Sequence, residues 1–385
     1  MGNTNKRKSK SSNKTTNTNT NKTTNKTTNT NTNGPVDDTK SEKNDVVMLK
    51  IGKSESKKIS LKLINQCYHS SNAEPIEEAI IHPDFKNSII IACRKGDIKL
   101  VEDICSSNSQ NGFSNIKTLY NDFNERIYSF ILLKKNANKL CVGFLDKISI
   151  LELNNKKTFD LKINISCKDE GPIYSLLELE NGNIVSAGKN IILWKKISPT
   201  EYTKTDSIIP VGSSRIINLV EFPFFKNIIA TQENTHSVYL LKNEGDSISL
   251  LRKNEDVPSI WYKGSGQCCS KNCMLLVGKF ELSVIDAANG EIGSSYPGVD
   301  RGTLLNLTQK YKENDFWIVS DFLGNYLEFY EQEGNDFIFY EKLEFNENEA
   351  IGWGNKLLRI NDNTFVAIGH FGKMYIFTIK KLEAS

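Results

Sequence analysis

The sequence predicts an all-β repeat fold, and three observations carry the prediction. From Val46 onward, short apolar runs are broken by Gly, Asn, Asp and Lys, and no stretch sustains a helical period. The run Ile127-Tyr128-Ser129-Phe130 recurs as Ile173-Tyr174-Ser175-Leu176, 46 residues later. A small residue closes the second apolar run of each unit, at Cys93, Gly143, Gly188, Thr231, Gly278, Ser320 and Gly369, with a mean spacing of 46 residues. Four antiparallel strands in about 40–50 residues, repeated several times, is the pattern of a β-propeller. One such sheet cannot bury both of its faces, and stacking sheets as blades around an axis covers each face with a neighbour.

The chain opens outside that pattern. Residues 1–34 are ten Asn, eleven Thr, six Lys, three Ser, two Gly, one Arg and one Met. A segment of this composition cannot offset its ordering entropy and is expected to be disordered. Lys6-Arg7-Lys8-Ser9-Lys10 resembles a short nuclear-localisation patch, and Met1-Gly2 opens like a myristoylation start except that Lys6 stands where that motif wants Ser or Thr. A charged linker continues to residue 45, and the propeller is expected over 46–385.

Its units fall near 76–120, 127–165, 173–210, 215–252, 257–297, 303–345 and 350–380, which makes seven four-stranded blades the expected count. The last unit holds only three strands. Residues 58–64 alternate polar and apolar side chains and are expected to supply its outer strand, closing the ring; residues 46–51 are the alternative donor. Gly96-Asp97, Gly324-Asn325 and Gly372-Lys373 open the third strands, because Gly accepts the positive φ of a hairpin turn. Ile90, Val142, Val185, Ile229, Leu276, Ile318 and Val366 mark second strands that read as nearly continuous apolar runs, as expected when both faces are covered. Trp194 and Trp317 are expected to pack between blades.

The unit resembles the WD-repeat β-propeller family. Its best example runs from Gly171-Pro172-Ile173-Tyr174-Ser175-Leu176 through Asn190-Ile191-Ile192-Leu193-Trp194. Trp194 stands where the family's closing Trp falls, with Lys195 in place of the Asp. No Trp-Asp dipeptide occurs, and Gly-His occurs only as Gly369-His370, elsewhere in the unit. The resemblance covers roughly residues 58–380 and implies a platform that assembles other proteins.

Composition narrows the function. The net charge is +3, but residues 1–34 hold seven basic residues and no acid, so the remainder carries a net −4. A mildly acidic body gives no footprint of a nucleic-acid binder, and none is expected to be bound directly. The longest apolar runs are a few residues, against about 20 for a membrane-spanning helix, and the polar N-terminus lacks the apolar core of a secretory signal. Eight cysteines are too sparse for a disulfide scaffold and read as free thiols in a reducing compartment, cytoplasmic or nuclear. The cluster from Cys268 to Cys273 lacks the second pair of a structural zinc site, and the four histidines are scattered. No nucleophile elbow, phosphate-cradling loop, dinucleotide fingerprint or repeated Asp-box appears, and Gly264-Ser265-Gly266 reads as a turn. No catalytic residue, cofactor, metal or small-molecule substrate is expected. The leading reading is an interaction scaffold, beside a nuclear or ribonucleoprotein-associated subunit and an enzyme with an unrecognised site.

In the resembling family, one face of the disc is built from the connections entering each first strand and from the turns between second and third strands. That mapping puts Arg94, Lys95, Arg126, Lys189, Arg215, Lys279, Arg301 and Lys373 there, against Asp97, Glu125, Asp146, Glu233, Asp300 and Asp321. Arg126, Arg215 and Arg301 each sit just before a first strand and are the candidate clamp for carboxylates or phosphates. Trp261 and Trp353 are the candidate aromatic anchors. The expected ligand is an acidic or phosphorylated segment of a partner protein.

Overall fold

The computed structural model describes residues 51–53, 59–68, 74–105, 115–121, 123–212, 214–233, 235, 237–255, 266–268, 273–277, 281–297, 301–306, 315–321, 326–333, 336–345, 354–361, 363–369 and 372–381. The expected disordered tail, Gly278, Lys279, Asp300, Gly324, Trp261 and Trp353 lie outside them. The described secondary structure is strand throughout, 29 strands in seven sheets.

Two short strands come first, β1 (Ile51–Lys53) and β2 (Ile59–Tyr68). Blade one is β3 (Ile76–Ile80), β4 (Ile89–Cys93), β5 (Ile98–Glu102) and β6 (Asn115–Tyr120). Blade two is β7 (Ser129–Leu132), β8 (Lys139–Gly143), β9 (Lys147–Leu153) and β10 (Phe159–Ser166). Blade three is β11 (Ser175–Glu178), β12 (Ile184–Ala187), β13 (Asn190–Ser198) and β14 (Glu201–Pro210). Blade four is β15 (Ile216–Phe222), β16 (Asn227–Gln232), β17 (Val238–Asn243) and β18 (Ile248–Asn254). Blade five is β19 (Gly266–Cys268), β20 (Cys273–Val277), β21 (Glu281–Asp286) and β22 (Ile292–Pro297). Blade six is β23 (Arg301–Asn306), β24 (Asp315–Asp321), β25 (Tyr326–Glu333) and β26 (Asp336–Glu344). Blade seven is β27 (Gly354–Arg359), β28 (Thr364–Gly369) and β29 (Lys373–Lys381), and β2 completes it.

Each blade is an antiparallel meander, and the first strands touch one another in a closed cycle, β3 to β7 and on through β27 back to β3. The ring closes through β2, which pairs antiparallel with β29 from Ile59 opposite Lys381 to Tyr68 opposite Lys373. β1 adds something the four-strand unit does not anticipate. It joins the outer edge of blade six as a fifth, parallel strand, with Ile51 opposite Phe337.

The core lies between blades. Ile90, Val142, Val185, Ile229, Leu276, Ile318 and Val366 are each 0% exposed. Apolar clusters join blade one to two, two to three, three to four, four to five, six to seven and seven to one. Trp194 packs with Cys141, Ile148 and Ile150 of blade two while its Nε1 donates to Ser186 Oγ at 2.8 Å, so its one polar atom is satisfied. Hydrogen bonds stitch the same seams: Asn183 Nδ2 donates to the Gly245 carbonyl at 2.9 Å, and Asn227 Nδ2 to the Ala287 carbonyl at 2.8 Å.

The small residues that close the second strands are small for a reason. A Cβ on Gly143 would stand 2.3 Å from Ser129 Oγ and 2.9 Å from the Ile173 carbonyl, where the chain enters blade three. Gly96 takes φ +104°, and its turn presses against the Phe123 carbonyl. One reading is corrected: Cys273, taken as a free thiol, is disulfide-bonded, whereas Cys93, Cys105, Cys141 and Cys167 are free.

Val185→Asp buries an unpaired carboxylate and should destabilise the protein by several kcal/mol, and Gly143→Ala should cost about 1–3 kcal/mol through overpacking, both read by chemical denaturation. A chain beginning at residue 69 lacks β2 and should lose its single cooperative melt. A chain beginning at residue 46 keeps β1 and β2 and should melt with the full chain in a calorimetric scan.

Candidate functional site

In blades one, three and four, the face expected from the sequence is assembled by backbone hydrogen bonds between the blade's entering connection and its own turn after the second strand. Arg94 N donates to the Pro75 carbonyl in blade one at 2.9 Å, Lys189 N to the Glu170 carbonyl in blade three at 2.9 Å, and Glu233 N to the Arg215 carbonyl in blade four at 2.7 Å. One isoleucine per connection is driven into the core: Ile76, Ile127, Ile173 and Ile216 are each at most 1% exposed. The flanking residues are thereby turned outward.

Two of them are tyrosines in equivalent places. Tyr128 N donates to the Gly143 carbonyl and Tyr174 N to the Ala187 carbonyl, both at 2.9 Å. The half-buried rings meet edge to face, 5.4 Å apart at 84°. The Arg126 guanidinium lies 4.9 Å over Tyr128, and that of Arg215 lies 4.8 Å over Tyr174. The result is a continuous row across blades two to four, Arg126–Tyr128–Tyr174–Arg215, in which stacking holds each planar cation in place.

Each cation also faces a carboxylate. Arg126 Nη2 is 2.9 Å from Glu77 Oε1 of blade one, an oxygen that Arg94 Nε also meets at 2.5 Å. Arg215 Nε is 3.4 Å from Glu233 Oε2. Neither arginine is used up: Arg126 is 38% and Arg215 49% exposed. Burial alone would raise the Glu77 carboxyl, but the hydrogen bond from Arg94 and the charge of Arg126 outweigh it and hold the group below its ordinary value. Glu77 therefore stays ionised.

Of the five candidate binding residues, the structure brings Arg126 and Arg215 into one row. Arg301 opens β23 with Asp321 as its register partner, and its side chain is outside the described residues, as are Trp261 and Trp353. The residues that sequence reasoning missed are Tyr128, Tyr174 and Glu77. The signal for the tyrosines was present: equal places in units 46 residues apart become neighbours near the axis once blades stack. Burial pushes the Cys93 and Cys167 thiols up to about 12 and raises Cys141 and Cys105 as well, which disfavours their thiolates. On the opposite face, a shallow cleft between blades three and four is lined by Glu180, Glu221, Lys226 and Asn243.

Because the Glu77 carboxyl is depressed in the folded state, its contribution to stability is complete above its ordinary value of about 4.5 and lost as pH falls through the folded value. Glu77→Gln should lower stability by about 1 kcal/mol at pH 7, and the gap should close as pH falls below the ordinary value and through the folded one, read from thermal melts across that range.

No protein-family profile and no curated protein matches the chain. Solved structures do match its fold. The Neurospora crassa Pan2 WD40 domain superposes with a TM-score of 0.59 at 8% identity, over 85% of this chain and 97% of that one. The N-terminal domain of Nup159 superposes with a TM-score of 0.55 at 8% identity, over 86% and 99%. Likeness at 8% identity reaches the fold and stops there; by that measure the chain is a seven-bladed β-propeller with the fold of WD40 domains.

Proposed function

We propose that this protein is a non-catalytic docking platform that binds partner proteins on the face carrying Arg126 and Arg215, with Arg301, Trp261 and Trp353 extending that face. The observation that carries the reading is the Arg126–Tyr128–Tyr174–Arg215 row. It sets aromatic surface beside two oriented, partly exposed cations, the combination found at interface hot spots. An acidic or phosphorylated segment of a protein is the ligand such a row fits. No cofactor or small-molecule substrate enters the proposal, and the net charge of −4 beyond residue 34 argues against direct binding of nucleic acid. The cytoplasm or nucleus is the setting that the free Cys93, Cys105, Cys141 and Cys167 support, with the Cys273 disulfide the observation against it.

Affinity purification of the full chain from its native cells tests the reading. Arg126→Gln with Arg215→Gln should reduce recovery of the co-purifying proteins roughly tenfold or more, as loss of charge-assisted bonds does at an interface centre. The variant should melt within a few degrees of wild type, and recovery should resist nuclease. A folded double variant that recovers the same proteins in the same amounts would remove this face as the docking site.

A further inference from the structure

Resting on the docking reading, we infer that this face takes an extended peptide segment with two carboxylate side chains about four residues apart, bracketing an apolar residue that lies on the Tyr128–Tyr174 pair. The length of the row sets the spacing. The path from one guanidinium carbon over the two rings to the other is at most about 15 Å, which a strand rising about 3.3 Å per residue crosses in four or five residues. No single anion engages both arginines across the rings, so the row demands two anions on one chain. Between them lies half-buried aromatic surface with no charge of its own. An apolar or proline side chain covers that surface without leaving a buried polar group unpaired.

The carboxylates already present decide the kind of anion. Glu77 stands 2.9 Å from Arg126, and Glu233 stands 3.4 Å from Arg215. Each guanidinium therefore shares its charge before any ligand arrives. A carboxylate adds one negative charge to such a site, whereas a phosphoryl group adds close to two beside a fixed negative neighbour. An extended segment crosses the row in the fewest residues, whereas a helix, rising about 1.5 Å per residue, would need its two carboxylates about ten residues apart.

Fluorescein-labelled ten-residue peptides on a Gly/Ser background provide the test, with binding to the full chain read by anisotropy. One peptide carries Glu at positions i and i+4 with Pro at i+2. A second carries the same residues with the glutamates adjacent, and a third replaces both glutamates of the first with phosphoserine. The first peptide should bind at least five-fold tighter than the second and no more weakly than the third. Tyr128→Leu with Tyr174→Leu keeps apolar bulk while removing the flat rings, and should erase the preference between spacings. Equal affinity for the two spacings, a phosphoserine peptide more than ten-fold tighter, or no binding at millimolar protein would overturn the inference. Those outcomes leave the docking reading standing, because that reading falls on the recovery of native partners by the arginine variant and not on synthetic peptides.

Discussion

Both faces of every blade must be covered, and the remainder of the structure follows from that requirement. A second strand such as β12, Ile184–Ala187, is buried at all four positions, so it has no solvent side to make polar. The apolar clusters accordingly sit at the seams between sheets and not within them, with Ile191 and Leu193 of blade three packing against Ile228 and Leu241 of blade four. A sheet with two apolar faces is unstable alone. The ring is what makes each face an interior one.

Packing this close leaves little room where the chain crosses from blade to blade. The connection into blade three passes over Gly143, and Ser129 Oγ donates to the Ile173 carbonyl at 2.6 Å in the same crossing. Main-chain groups displaced from the ladders are paired there, as buried polar groups must be. The same crossings position the docking row, since the isoleucine that anchors each connection fixes the direction of the residue beside it. The outer strands show the opposite character. β14 alternates exposed and partly exposed residues along most of its length, and β18 is exposed from Ser249 to Lys253. Most exposed side chains of these two rim strands are polar or charged, which discourages unwanted strand addition, with Ile208, Leu250 and Leu251 the exposed apolar exceptions.

The fold was legible because its signals are local. An apolar run of five residues, a Gly-polar turn and a small closing residue each act within one hairpin, and a 46-residue recurrence sums them. Ring closure was legible too, since three strands in the last unit left one place vacant and the alternation before the first unit matched it. What the sequence hid depends on contacts between units. Glu77 and Arg126 lie 49 positions apart and meet only because blade one abuts blade two. The parallel pairing of β1 with β26 joins residues nearly 290 positions apart and carries no turn or pattern to announce it. The tyrosine pair lies between these cases. The Ile-Tyr-Ser recurrence was visible as a repeat, and its consequence, two rings side by side, needed the stacking of the blades to be known.

Ring closure through β2 also fixes an order of events in time. Ile59 pairs with Lys381, so β2 leaves the ribosome and waits for a strand made some 320 residues later. At about 5–20 residues per second, synthesis of the intervening chain takes tens of seconds. Throughout that interval blades one to six can form and stack while β2 waits without β27, β28 and β29, and the seam between blade seven and blade one stays open. Contacts so distant in sequence form slowly even in a finished chain. The nascent protein is therefore an open, C-shaped array with two bare apolar faces, and the interval before closure is when it most needs protection from other chains.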